Sequence, residues 1–271
     1  MAMTRKSILI CLVFTVLFPF ASLAQRHGRP RAPRPTERRE PIKPDSAFVA
    51  KFAPYTTSIN GMLFQYRVAS IGNFDREPPI LVIYLHGRSA SGSDNERQLA
   101  KEGVKKLYDY LSRNNISAYL FVPQCPENRR WNERVTNGRQ MTSVLKLAID
   151  EFFSQHMFNT NKVFIFGDSS GGAGVWRMLS DYDNYFAAAM IVASIPRGIS
   201  EKKVAKTPLC YVIGSEDDVV SPDATASIVK SLNKKKCDLN FEILQGKAHP
   251  ETCRDAFTDD KTAWVLGHTK K

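Results

Sequence analysis

The sequence predicts an α/β protein: a mostly parallel, doubly wound sheet with antiparallel strands at its N-terminal edge, in a single folded domain. Three observations predict it. Short apolar runs recur near residues 79, 118, 163, 187, 208 and 240. Segments of helical periodicity lie between several of them, and strand and helix alternate as a parallel sheet requires. The runs end abruptly in loops carrying Gly, Ser, Asp or His, where a parallel sheet covered on both faces presents its carboxyl edge.

The chain opens differently. Arg5 and Lys6 precede an apolar stretch over residues 8–20, and Ala21-Ser22-Leu23-Ala24 places small residues before Gln25. This is the pattern of a secretory leader cleaved after Ala24. The apolar core is short for a membrane span, and Cys11 lacks the small residues that lipid attachment would need before it. The expectation is a secreted or periplasmic protein with no stable membrane insertion after cleavage. Residues 25–45 are rich in Pro and Arg and have almost nothing to bury, so they read as a disordered tether. The folded domain then spans 46–271, long enough to bury on the order of 70% of its unfolded surface.

Charge follows the same division. Residues 1–45 hold nine basic and three acidic side chains, leaving 29 against 24 in the domain, a modest +5 of the total +11. A dedicated nucleic-acid binder concentrates basic charge on its folded surface, so nucleic acid is not expected as a partner. No repeat is visible, and nothing in the sequence specifies an oligomeric state.

Along the domain, residues 48–53 and 62–68 read as an antiparallel pair of edge strands. The run from Pro79 to Leu85 is a buried strand that ends in His86-Gly87-Arg88. Helix fits residues 95–111, with Val104, Leu107, Tyr108 and Leu111 on one face. A strand over 118–122 leads to a loop carrying Cys125 and Trp131, and helix returns over 140–153. Trp131, at the carboxyl edge, is a candidate for stacking on a sugar or phenolic ring, with structural packing as the alternative.

The most informative stretch follows. Val163, Phe164, Ile165 and Phe166 form a strand that breaks into Gly167-Asp168-Ser169-Ser170-Gly171, with a helix from about Ser170. A serine held on a sharp strand-to-helix turn projects its hydroxyl, and only small residues two before and two after leave room for the turn. The helix start adds free N–H groups and a positive dipole beside the oxygen where negative charge develops in acyl transfer. The pentapeptide alone is weak evidence; its partners make it strong. The strand over 208–213 ends in Gly214-Ser215-Glu216-Asp217-Asp218, which offers Asp217 as the orienting acid, while Asp223 belongs to the acidic first turn of a helix starting near Pro222. The strand over 240–244 ends in a loop carrying His249, the base. The order Ser169, Asp217, His249 is the one a nucleophile elbow needs. An imidazole that titrates near pH 6.5 takes a serine proton close to neutrality, and the acid fixes its tautomer. His86 follows a strand too, but its context assigns it a structural role. His27, His156 and His268 stand in the lead, at a helix end and near the terminus. The oxyanion donors are the backbone N–H groups of Ser170 and Arg88, the latter reached through Gly87. Trp176 reads as core.

These residues resemble the α/β-hydrolases, and within them secreted esterases and predicted peptidases related to the polyhydroxybutyrate depolymerase and feruloyl esterase groups. The likeness covers most of the chain after residue 45. It is carried by Leu85-His86-Gly87, by Gly92 to Leu99, by Val122-Pro123-Gln124-Cys125-Pro126 with Trp131, by Ser169 to Trp176, and by His249 ahead of a helix bearing Trp264. It implies the α/β-hydrolase fold, and a nucleophile, acid and base at Ser169, Asp217 and His249. Two departures stand out: Arg88 where such proteins often have a small residue, and Ser170 where they often have methionine. Neither removes a backbone donor. The Arg88 guanidinium adds a fork suited to a carboxylate, which makes an acidic substrate one expectation.

The reading is an exported serine hydrolase that cleaves carboxylic esters through an acyl-enzyme, on a small-molecule or polysaccharide-linked substrate, acetyl or feruloyl esters being favoured. The alternatives are a peptidase on the same fold and a non-catalytic glycan-binding protein on a hydrolase scaffold. The mechanism needs no cofactor, and no cysteine cluster has zinc spacing. Cys125, Cys210, Cys237 and Cys253 remain after cleavage; Cys210 reads as buried and free, and a bridge between Cys125 and Cys253 is one option.

Overall fold

The structure is a computed structural model of the chain and describes residues 43–75, 77–135 and 140–270. The expected leader and most of the expected tether lie outside the described residues. Eight strands form one sheet: β1 (Ala53–Ile59), β2 (Met62–Ile71), β3 (Ile80–Leu85), β4 (Ala118–Gln124), β5 (Val163–Asp168), β6 (Ala188–Val192), β7 (Leu209–Gly214) and β8 (Leu239–Leu244), in spatial order β1-β2-β4-β3-β5-β6-β7-β8. β1 and β4 both pair antiparallel with β2, and every pairing from β4 through β3 to β8 is parallel. The helices are α1 (Ser46–Val49), α2 (Glu102–Arg113), α3 (Met141–Gln155), α4 (Ser170–Asp181), α5 (Glu201–Val204), α6 (Pro222–Lys234), α7 (His249–Asp255) and α8 (Asp259–Leu266).

The central strands are buried from end to end because both faces of the sheet are covered. Alternation assigns their side chains to two cores. In β5, Val163 and Ile165 join the core beneath α3 and α4, while Phe164 and Phe166 join the one beneath α2 and α8. On the first face Phe152 organises an aromatic cluster, stacked on His156 and edge-on to Tyr55, Tyr66 and Tyr119. Trp176 lies in the same core, as its place in the elbow helix predicts, and its indole N–H donates to the Ser194 carbonyl.

Two elements differ from the sequence expectation. Of residues 48–53 only Ala53 is in a strand. Asp45 accepts from the Ala47 N–H and caps the short α1, and Phe48 and Phe52, one helical turn apart, pack on each other and on Tyr108 of α2. The edge strand starts only at Ala53. The helix expected from residue 95 starts later, at Glu102. Asp94 accepts from the N–H groups of Glu96 and Arg97, Asn95 adopts a left-handed φ of 54°, and a 3-10 turn over Arg97–Ala100 ends at an extended Lys101. The Asx-type capping of that loop outcompetes helix propagation. The periodic apolar residues that suggested the helix, Val104, Leu107 and Leu111, do line its buried face.

Candidate active site

Ser169 sits between β5 and α4 with φ 51° and ψ −116°, a conformation that costs a side-chain-bearing residue of order 1–3 kcal/mol. Its surroundings enforce it. A Cβ on Gly171 would lie 1.8 Å from the Leu85 carbonyl oxygen, and one on Gly167 would lie 2.7 Å from the backbone of Gly171. The first turn of α4 is therefore pressed against the end of β3. The Ser169 N–H is tied to the Val192 carbonyl at 2.9 Å, across to the neighbouring β6. Ser169 itself is half-buried.

The histidine loop is brought in by a second close approach. A Cβ on Gly214, the last residue of β7, would meet the Lys247 carbonyl oxygen at 2.1 Å and the Thr252 hydroxyl at 2.2 Å. Only glycine lets the loop after β8 cross there, and the Glu216 N–H then bonds the Lys247 carbonyl at 3.1 Å. His249 opens α7, held by Glu251, whose carboxylate accepts from the Ala248 N–H at 2.9 Å.

Three side chains from three loops meet. His249 Nε2 is 2.8 Å from Ser169 Oγ, and His249 Nδ1 is 2.8 Å from Asp217 Oδ2. The other oxygen of Asp217 accepts from the N–H groups of Val219 and Val220, each at 2.8 Å, so the carboxylate is locked and buried. An ionised Asp217 can only accept, which puts the imidazole proton on Nδ1 and turns the Nε2 lone pair to the Ser169 hydroxyl. Glu216 and Asp218, the neighbouring acids, are exposed, and Asp223 lies in the first turn of α6 as expected.

The loop after β3 lies beside the serine: a Cβ on Gly87 would be 3.4 Å from Ser169 Cβ. Arg88 starts a 3-10 turn and Ser170 starts α4, so the N–H groups of both lie at helix beginnings with no intrahelical acceptor. The Arg88 side chain is exposed. His86 is buried: its Nε2 accepts from the Cys125 N–H at 2.9 Å, and its Nδ1 bonds the Gly87 carbonyl at 2.7 Å. Burial lowers its pKa to about 4, keeping the ring neutral with the proton on Nδ1. It is structural, as its sequence context predicts.

Trp131 corrects the stacking expectation. It is fully buried, edge-on to His86, and its indole N–H donates to the His86 carbonyl at 3.0 Å. A Cβ on Gly174 would lie 2.6 Å from Trp131 Cβ, so α4 closes over the residue and leaves no face for a ligand. The option of a Cys125–Cys253 bridge is also corrected: both are free, as are Cys210 and Cys237. Burial pushes the Cys125 and Cys210 thiols up to about 12, which keeps them protonated and unreactive. Among the described residues no group of His, Cys, Asp and Glu is arranged to hold a metal ion, and no helix is long and apolar enough to cross a membrane.

Sequence reasoning missed Asp168. It is buried, bonded by Tyr84 Oη at 2.6 Å and by the Gly87 N–H at 3.2 Å. The signal was available: a charged residue at an inward-facing strand position demands a partner.

The model of the dienelactone hydrolase family matches residues 87–266, from the loop after β3 to the last helix. The chain belongs to the dienelactone hydrolase family. This family member has the α/β-hydrolase fold anticipated from its motifs, with solved relatives that are esterases. It is similar to a thermostable esterase at 21% identity and a TM-score of 0.73, covering 82% of this chain and 64% of that one. It thus spans under two thirds of that esterase. An S-formylglutathione hydrolase from Agrobacterium tumefaciens has 14% identity and a TM-score of 0.61, covering 80% of this chain and 95% of the other. A ferulic acid esterase has 12% identity and a TM-score of 0.61, covering 80% and 96%. These identities carry the fold alone. No curated protein is significantly similar in sequence.

Two outcomes test the site's physical description. Glycine accepts φ 51° without strain, so Ser169→Gly is expected to be more stable than Ser169→Ala by about 1 kcal/mol, read from urea unfolding; equal stabilities contradict a strained turn. His86 binds its proton at about pH 4 when folded against an ordinary 6.5. The unfolded chain therefore takes up protons first, and this contribution to stability, full above about pH 6.5, is lost as pH falls towards 4. The loss amounts to about 3 kcal/mol, and His86→Asn is expected to flatten the stability-against-pH curve over that window.

Proposed function

We propose that this protein is a serine hydrolase that cleaves carboxylic esters through an acyl-enzyme, with Ser169 as nucleophile, His249 as general acid and base, and Asp217 as the residue that orients His249. One observation carries the reading: Asp217, His249 and Ser169 form a continuous line of 2.8 Å contacts that ends at the Ser169 hydroxyl. Membership of a hydrolase family supports it.

The chemistry follows from the geometry. His249 Nε2 takes the Ser169 proton as Oγ adds to the ester carbonyl. The imidazolium is stabilised by Asp217, which is already desolvated and held by two N–H groups, so little reorganisation accompanies the charge change. The N–H groups of Ser170 and Arg88 take the oxyanion, and the dipole of α4 points its positive end at the same oxygen. His249 then gives its proton to the departing alkoxide, the alcohol leaves, and a water activated by His249 repeats the sequence to free the acid and Ser169.

Polysaccharide-linked acetyl or feruloyl esters are the favoured substrate class, and a secreted or periplasmic location follows from the leader-like start of the chain. Arg88 adds a preference. Its guanidinium is exposed one residue beyond Gly87, which abuts the nucleophile, and the described residues give it no carboxylate partner. An acidic group on the substrate satisfies it.

Ser169→Ala is expected to abolish p-nitrophenyl acetate hydrolysis, a fall of at least about 1,000-fold, while the circular dichroism spectrum is kept; undiminished turnover refutes the assignment. Arg88→Ala retains the backbone donor and is expected to lower kcat/KM for a succinyl monoester by about tenfold with an acetyl ester unchanged. Equal effects on both esters rule out the acidic preference.

A further inference from the structure

The N–H of Arg88 is useful only if the loop that carries it holds still. Loops of this kind are exposed and mobile unless tied down, and the structure ties this one at every residue around Arg88. The Gly87 N–H donates to Asp168 Oδ1 at 3.2 Å. The Gly87 carbonyl takes the His86 Nδ1 proton at 2.7 Å and the Ala90 N–H at 3.2 Å. On the far side of Arg88, Lys101 Nζ bonds the Ser89 hydroxyl at 3.4 Å and lies 3.8 Å from Asp168 Oδ2. The peptide bond between Gly87 and Arg88 is trans, since the described residues contain no cis peptide. Its carbonyl and N–H therefore point in opposite directions. Fixing the Gly87 carbonyl inwards on His86 aims the Arg88 N–H the other way.

Asp168 is the centre of this arrangement, and its position is not a packing accident. Tyr84 Oη donates to the same Oδ1 at 2.6 Å, and room for that phenol is made deliberately: a Cβ on Gly103, in the first turn of α2, would lie 2.5 Å from the Tyr84 ring. Gly87 likewise gives way, because a Cβ there would meet Asp168 Oδ2 at 2.8 Å. Asp168 is also the chain neighbour of the nucleophile. One buried carboxylate thus joins the serine turn to the loop that supplies the opposite oxyanion donor.

On the reading of Ser169 as nucleophile, we propose that Asp168, buttressed by Tyr84 and Lys101, is a positioning residue that sets the Arg88 N–H against the oxyanion. The interaction acts on the transition state, not on substrate capture. Lys101 offsets the carboxylate's charge, so the anion forming on the substrate is not opposed by a bare negative group one residue away.

The test compares Asp168→Ala, Asp168→Asn and Tyr84→Phe with the wild-type protein on p-nitrophenyl acetate, and measures inhibition by a trifluoromethyl ketone, which captures the serine as a tetrahedral oxyanion. Asp168→Ala is expected to lower kcat by about 30- to 100-fold with KM within twofold, and to weaken the ketone by the same factor. Asp168→Asn keeps an acceptor for the Gly87 N–H and is expected to retain kcat within about fivefold, with Tyr84→Phe between the two. Circular dichroism and the melting temperature report folding separately. The proposal is overturned if folded Asp168→Ala keeps its kcat, or if kcat falls while ketone affinity does not. If Asp168→Ala does not fold, the Asn and Phe variants decide: equal effects on kcat and ketone binding support the proposal, and loss of one without the other overturns it. Failure of the parent reading looks different, since wild-type protein would then neither turn over the ester nor be labelled at Ser169 by a fluorophosphonate.

Discussion

The structure depends on one close approach, the amino end of α4 against the carboxyl end of β3. With Gly171 in van der Waals range of the Leu85 carbonyl, the chain can leave β5 for α4 only through a turn that puts Ser169 at φ 51°. That contact simultaneously places the residues after Leu85 beside the serine. The strain at Ser169 and the proximity of the Gly87-Arg88 loop are therefore two results of a single packing constraint, since neither backbone can retreat without pulling a central strand out of a sheet buried on both faces. Steric exclusion does here what hydrogen bonding alone could not, because it removes every competing turn geometry.

The other half of the site is assembled by the same device one strand pair away. Gly214 lets the Lys247 carbonyl lie against β7, and the two loops that meet there carry Asp217 and His249. The sheet order puts β5, β6, β7 and β8 side by side, so the three polar residues converge from loops whose spacing is set by parallel pairing. Each polar partner is then fixed from behind: Asp217 by the Val219 and Val220 N–H groups, His249 by Asp217, and the start of α7 by Glu251. A site built this way has few soft degrees of freedom, as differential stabilisation of a transition state requires.

Much of this was legible in the sequence because it rests on local rules. Unbroken apolar runs gave the buried strands, and the Gly-x-Ser-x-Gly spacing gave the turn, since its glycines answer to contacts within one strand-turn-helix unit. Asp217 and His249 could be chosen by their place after strands. The parts that escaped are those decided by distant residues. Residues 48–53 read as a strand because their apolar spacing fits either element, and it took Tyr108 from another helix to make the four-residue separation of Phe48 and Phe52 count. Trp131 occupies a carboxyl-edge loop, and only the inward path of that loop under α4 buries it. Asp168 looked like the variable position of a motif, because its partners Tyr84, Gly87 and Lys101 come from another strand and the loops after it.

The contrast between Asp168 and His86 shows how one interior handles two titratable groups. Both are buried within a few residues of the same loop. His86 is stripped of charge: its two nitrogens are matched by one backbone donor and one backbone acceptor, an arrangement that suits only the neutral ring, and burial lowers its pKa to about 4. Asp168 is instead met by donors, the Tyr84 hydroxyl, the Gly87 N–H and the Cys253 thiol, with the Lys101 ammonium 3.8 Å away. Burial raises the Tyr84 phenol well above its ordinary range and so keeps the proton that Asp168 accepts. Gly87 is thus gripped by a fixed donor on its carbonyl and a fixed acceptor on its N–H.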